Sequence, residues 1–225
     1  MSLYVDLWIK GEELEQAKEL IRSLPRLGFK AAAIELQEDL YERFEELREE
    51  AERIGLKLYR RLVLRPRARK ELLEKLRMNR GRYEVISVLC DNLEVALVAV
   101  RDSRVDTVII PTRLEYRLDR GVLALIRSRV ELVFKHFLED RRAFLETAKE
   151  VVQVLGRKAG IIASSGASNP LELRTPRQLA SLLEVLGLDH ERALSSVSRE
   201  PYRLIEENLI KLSRSYVARG VMRLG

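Results

Sequence analysis

The chain has very little of the chemistry that marks many small enzymes and secreted domains. There is one cysteine, Cys90, among 225 residues. That excludes an internal disulfide and any multi-cysteine metal cluster, and it fits a reducing compartment. Cys90 ends the apolar run Val85-Ile86-Ser87-Val88-Leu89-Cys90, which reads as a buried, unreactive thiol. Histidine occurs twice, at His136 and His190, too few for a histidine-based metal centre. Aromatic residues make up 6% and do not alternate with basic ones as a base-stacking surface would require. Nor is there a signal-peptide core near Met1, or a run approaching the roughly 18 apolar residues of a membrane span. The expectation is a cytoplasmic protein with no membrane association.

What the chain does have is apolar residues and charge. Hydrophobic residues at 46% suffice for a large core. The net charge of +6 is unevenly spread. Residues 1–56 carry 8 Lys/Arg against 14 Asp/Glu, whereas residues 57–225 carry 33 against 21. The later part can therefore attract a polyanion, although solubilising charge also explains many such balances. The acids around Tyr41, Phe44, Leu47, Ala51 and Ile54 interleave with apolar residues at helical spacing, giving a solvated helix face rather than a carboxylate site.

Short apolar runs alternate with amphipathic stretches along the chain. Strands are expected at residues 3–9, 29–36, 56–64, 83–90, 106–110, 130–134 and 159–164. Helices are expected at 12–24, 41–54, 69–78, 93–100, 119–127, 140–155, 176–186, 191–194 and about 202–214. This order predicts one α/β domain over 1–225, TIM-barrel-like, with seven parallel strands. The helices and tail from about 189 would pack on it. An eighth strand is doubtful: residues 185–188 are too few, while the tail 216–224 could close or cover the sheet. A doubly wound open sheet is the alternative.

In a barrel, functional side chains gather at the C-terminal strand ends. Arg65 and Arg67 follow the third expected strand, Arg113 and Arg117 the fifth, and Lys135, His136, Arg141 and Arg142 the sixth. After the seventh comes Ser164-Ser165-Gly166-Ala167-Ser168-Asn169-Pro170, then Leu173-Arg174-Thr175-Pro176-Arg177. Serines and glycine at a strand end can turn amides and hydroxyls toward an anion. Thr175-Pro176 is a good helix start. A plain capped loop would explain the same residues.

That segment, with Tyr4-Val5-Asp6-Leu7 near the start and Leu186-Gly187-Leu188, resembles the ribonuclease P protein component 3 family, the archaeal relatives of the eukaryotic thirty-kilodalton subunit. The resemblance is sharpest over 159–190. It implies a TIM-barrel-like fold and assembly with the catalytic RNA, a small ferredoxin-like ribonuclease P subunit and other holoenzyme proteins. Pre-tRNA would be met indirectly, during 5′-leader removal. The isolated chain would be non-catalytic and without a cofactor, with magnesium on the RNA. RNA contacts are expected from Ser164, Ser165, Gly166, Asn169, Arg174 and Arg177, with Arg65, Arg67, Arg113, Lys135, Arg141 and Arg142 as a wider rim. The family is similar in fold to the metal-dependent polymerase-and-histidinol-phosphatase superfamily. A phosphoesterase of that type is therefore one rival, and an enzyme acting on a small phosphorylated substrate is the other. Asp6 and Glu35 could share a cation, or each could pair with a rim arginine.

Overall fold

The computed structural model describes residues 3–113, 116, 126, 128–155, 160–213, 216–218 and 221–222. Its main sheet consists of β1 (Val5–Gly11), β2 (Ala31–Leu36), β3 (Lys57–Leu64), β4 (Val85–Leu89), β5 (Thr107–Ile109), β6 (Arg129–Val133) and β7 (Ile161–Ser164). Neighbours in space are neighbours in sequence, and every pairing is parallel. The crossovers carry α1 (Leu14–Leu27), α2 (Phe44–Arg53), α3 (Arg69–Asn79), α4 (Leu93–Ala99), α5 (Phe134–Glu139) and α6 (Arg141–Leu155). After β7 come α7 (Pro176–Val185), α8 (His190–Ser195) and α9 (Arg199–Leu212). The helix expected over 119–127, and Arg117, lie outside the described residues.

No eighth strand joins this sheet among the described residues, and two different devices bring β7 back to β1. At the C-terminal ends, the Gly166 amide donates to the Trp8 carbonyl at 2.8 Å and the Lys10 amide to the Ala167 carbonyl at 2.8 Å. At the other end the turn after α8 fills the gap. The Val5 amide donates to the Val197 carbonyl at 2.9 Å and the Ala163 amide to the Ser196 carbonyl at 3.2 Å. These bonds satisfy edge groups that an open sheet would leave exposed. The result is a nearly closed barrel, not the open-sheet alternative. The tail forms its own antiparallel pair, β8 (Tyr216–Ala218) with β9 (Val221–Met222), lying against α9. It does not close the sheet.

Residue parity along the strands sorts the barrel into an outer shell and three inner layers; in β1 it is interrupted by a register shift between Asp6 and Ile9, which lets both Leu7 and Trp8 face inward. Outward residues such as Ile34, Leu58, Ile86, Val108, Val130 and Ala163 pack under the helices. Inward at the N-terminal end, Val5, Leu7, Ala31, Ala33, Val85 and Ile162 form an apolar floor capped by Leu204 and Ile205 of α9. Inward at the C-terminal end lie Trp8, Val63, Ile109 and Val133, with Leu89 against them. Between these two apolar layers sits a polar one.

The crossover helices are also locally specified. Thr175 accepts from the Gln178 amide while the Gln178 side chain reaches back to the Thr175 amide, so α7 starts on a capping box with Pro176 in its first turn. The expected helix over 41–54 is instead a 3₁₀ segment, Glu38–Arg43, followed by α2. Tyr41 takes part in this change. Its hydroxyl donates to the Arg61 carbonyl at 2.5 Å and accepts from the Leu36 amide, holding this segment onto the strand ends.

Candidate nucleic-acid interface at the barrel mouth

The polar inner layer is built from one residue on each of β3 to β7: Arg61, Ser87, Thr107, Glu131 and Ser164, all fully buried. Arg61 forks onto Glu131 with bonds of 3.0 and 2.8 Å, and a third donor reaches the Leu7 carbonyl at 2.5 Å. Glu131 also accepts from Thr107 Oγ1 at 2.8 Å and Ser164 Oγ at 2.5 Å, and with the Thr107 proton so committed Thr107 Oγ1 accepts from the Ser87 hydroxyl at 2.6 Å. Four donors saturate the carboxylate, and the guanidinium faces the Trp8 ring with its central carbon 4.8 Å from the centroid. A carboxylate so occupied has no lone pair available to activate a water molecule. Neither Arg61 nor Glu131 was among the expected site residues. The available signal was weak, a charged residue between apolar ones in strands that carry further charges, Lys57 and Arg60 on β3 and Arg129 on β6.

Two of the expected RNA-binding residues belong to this interior. Ser164 points at Glu131, and Ser165 donates to the Trp8 carbonyl at 3.2 Å; both are fully buried. The expectation that their hydroxyls face an anion is therefore corrected: closing the barrel uses them up. Gly166 is buried too, at φ 65°, with Trp8, Val133 and Lys135 packed where a Cβ would stand. Its role is to let β7 turn onto β1.

Asp6 holds the same seam. Its Oδ1 accepts from the Ser165 amide at 3.0 Å and the Trp8 amide at 3.3 Å, while Oδ2 is buried without a partner. Burial pushes its carboxyl up to about 6 despite those bonds. Glu35 is engaged elsewhere, with Arg65 at 2.7 Å and with the Trp8 indole at 2.9 Å. The pairing with a rim arginine is thus realised for Glu35, whereas Asp6 binds backbone. Among the described residues, no three His, Cys, Asp or Glu side chains are grouped to hold a metal ion.

The remaining basic residues do lie at the C-terminal strand ends, and they differ in how free they are. Lys135 is half-buried, bonded to Ser168 Oγ at 2.6 Å and Glu172 at 3.0 Å. Arg174 lies over Phe134, 4.8 Å from the ring centroid, and donates to the Leu171 and Leu173 carbonyls at 2.8 and 2.7 Å. It clamps its own loop. Asn169 accepts from the Leu171 amide at 3.0 Å and caps the 3₁₀ turn Pro170–Glu172. By contrast Arg67 and Arg177 are exposed. Arg113, with 83% of its side chain exposed, touches Asp140 at 3.0 Å. Asp140 caps the α6 start that carries exposed Arg141 and Arg142, so these three arginines share one region. Arg142 pairs with Glu146 on its own helix, and Arg141 lies over Phe137.

His136 is half-buried on α5, and burial lowers its pKa, favouring the neutral ring. His190 is exposed and bonded to Glu184 at 2.8 Å, outside this region. One residue that sequence reasoning missed completes the mouth. Lys10, at the C-terminal end of β1, sets its ammonium 4.9 Å from the Trp8 ring centroid. Its position at a strand end was the available clue.

Comparison with known proteins agrees with this architecture. A protein-family model described as RNase P subunit p30 matches residues 3–212. The chain is 28% identical over 222 residues to "Ribonuclease P protein component 3" of Methanothermobacter thermautotrophicus, covering 91% of this chain and 89% of that protein. It is 29% identical over 170 residues to the ribonuclease P/MRP protein subunit RPP1 of Saccharomyces cerevisiae, covering 68% of this chain and 54% of that longer protein. Among solved structures, it superposes with a TM-score of 0.81 on a chain of the cryo-EM structure of archaeal ribonuclease P with mature tRNA. There the identity is 19%, and 97% of this chain and 98% of the other are covered, so that match establishes the fold. The family match over nearly the whole chain settles the assignment: the chain belongs to the RNase P subunit p30 family and is a protein subunit of ribonuclease P, the endoribonuclease complex of tRNA processing.

Proposed function

We propose that this chain binds the catalytic RNA of ribonuclease P through its exposed arginines and stabilises the active RNA fold for 5′-leader removal. The observation that carries this reading is the contrast at the barrel mouth: Arg67, Arg113, Arg141, Arg142 and Arg177 face solvent, while the interior Glu131 carboxylate is consumed by internal bonds. Exposed guanidiniums neutralise phosphates and release counterions, a term independent of base sequence. The chemistry then belongs to magnesium ions on the RNA, and this chain supplies neither a catalytic group nor a cofactor. Its further partners are the small ferredoxin-like ribonuclease P subunit and the other holoenzyme proteins, with pre-tRNA met through the assembly, in the cytoplasm. No helix among the described residues is long and apolar enough to cross a membrane. The test is reconstitution of pre-tRNA cleavage from the RNA and its proteins, with and without this chain. Omitting it should raise the magnesium needed for cleavage; an unchanged magnesium requirement would count against the proposal.

A further inference from the structure

We propose that the mouth of the barrel binds a single phosphate group, held by the Lys10 ammonium with Arg65 and Lys135 beside it and Trp8 beneath. The inference stands on Lys10 and Trp8 and does not depend on the RNA-binding reading above. Among the described residues, the cations grouped around Trp8 divide into two kinds. Arg65 and Lys135 each already hold a carboxylate, Glu35 at 2.7 Å and Glu172 at 3.0 Å. Lys10 holds none: it is half-buried, no carboxylate oxygen lies within 4.0 Å of its Nζ, and its contact is the face of the indole. Burial depresses its pKa; of the charges around it Glu35 acts most strongly and raises it, while Arg65 and Lys135 lower it. A partly desolvated ammonium with no carboxylate in contact is stabilised by an anion that comes within hydrogen-bonding distance. Phosphate suits it, with several acceptor oxygens for three separate donors.

The indole also limits what the group can belong to. Trp8 is 2% exposed, with Lys10 at 4.9 Å and Arg61 at 4.8 Å from its ring centroid, so no base can stack there. The site would therefore read the phosphate and leave the nucleoside outside. That phosphate could come from a free monoester or from an RNA backbone, and the two are separable by experiment.

Trp8 is the sole tryptophan, which makes its fluorescence a direct reporter of this mouth. The full chain is titrated with inorganic phosphate, AMP and the diribonucleotide ApA, against chloride at matched ionic strength. A saturable change with phosphate or AMP supports the site with a free phosphate as occupant, and one with ApA alone supports it with a backbone phosphate. Lys10→Met keeps the stem over the indole and should weaken binding by about ten- to a hundredfold, the loss of one charge-assisted hydrogen bond. Lys10→Arg should retain most of it. No saturable change with any of the three ligands overturns the proposal, as does Lys10→Met binding like the parent chain. Either result would leave the magnesium requirement of reconstituted cleavage, and hence the RNA reading, untouched.

Discussion

The buried polar layer and the exposed rim use the same residue types in opposite ways. Inside, Arg61 is locked to Glu131, Leu7 and Trp8 with no solvent access. Outside, Arg113 and Arg142 keep 83% and 90% of their side chains exposed, and their carboxylate partners are themselves at the surface. A buried ion pair costs desolvation and is repaid only by complete hydrogen bonding, so neither partner can be lost alone. An exposed pair contributes little and can be exchanged for a phosphate at small cost. The interior pair therefore fixes shape, and the rim is left free to bind.

Six substitutions test that contrast. Glu131→Ala should have the largest effect, about 3–5 kcal/mol of unfolding free energy, because it strands the Arg61 charge in the barrel. Urea unfolding measures it. Combining it with Arg61→Met should recover part of the loss, and failure to recover any would show that the layer does more than balance charge. Gly166→Ala comes next. It places a methyl against Val133 in a left-handed conformation, and overpacking alone typically costs about 1–3 kcal/mol.

Asp6→Asn probes the seam through pH. The folded carboxyl titrates at about 6, against an ordinary value of 3.8. Between those values the folded state holds a proton that the unfolded chain has released. This group therefore lowers stability progressively as pH rises from about 4 to about 6. The asparagine variant lacks that loss. Its stability relative to the parent should improve by up to about 3 kcal/mol across the window, the free energy of a two-unit shift. Unfolding curves at pH 4, 5, 6 and 7 would reveal it; parallel pH profiles would refute it.

Arg113→Ala and Arg177→Ala should have the smallest effect on folding and a clear one on RNA. Thermal midpoints should not move measurably, while each change lowers RNA affinity and reduces the salt slope by about one. A shifted midpoint with unchanged RNA affinity would erase the distinction between rim and interior.

The framework was legible because it is local. Alternating patterns gave β1 to β7 and most helices within a few residues, and Thr175-Pro176 marked the α7 start seen in its capping box. The strand-end rule also placed Arg113, Arg141 and Lys135 where they stand. Pairings between distant residues were not legible. Arg61 and Glu131 are 70 residues apart, and nothing near either names the other. The serines misled for a related reason: Ser164 and Ser165 look like an anion loop until β1 is laid against them, and then their partners are Glu131 and Trp8. Closure at the other end by Ser196 and Val197 had no signal at all, since a turn after a helix carries no strand pattern.

That closure also governs the order in which the molecule can be assembled. The Ser165 amide meets Asp6 across 159 residues, and Val5 waits for Val197. During synthesis, β1 to β6 can pair with their neighbours as each emerges, because every such pairing is sequential. The seam cannot form until residues through Val197 have left the ribosome, and joining such distant segments carries the largest loop-closure entropy. The first strand is made early and finished last.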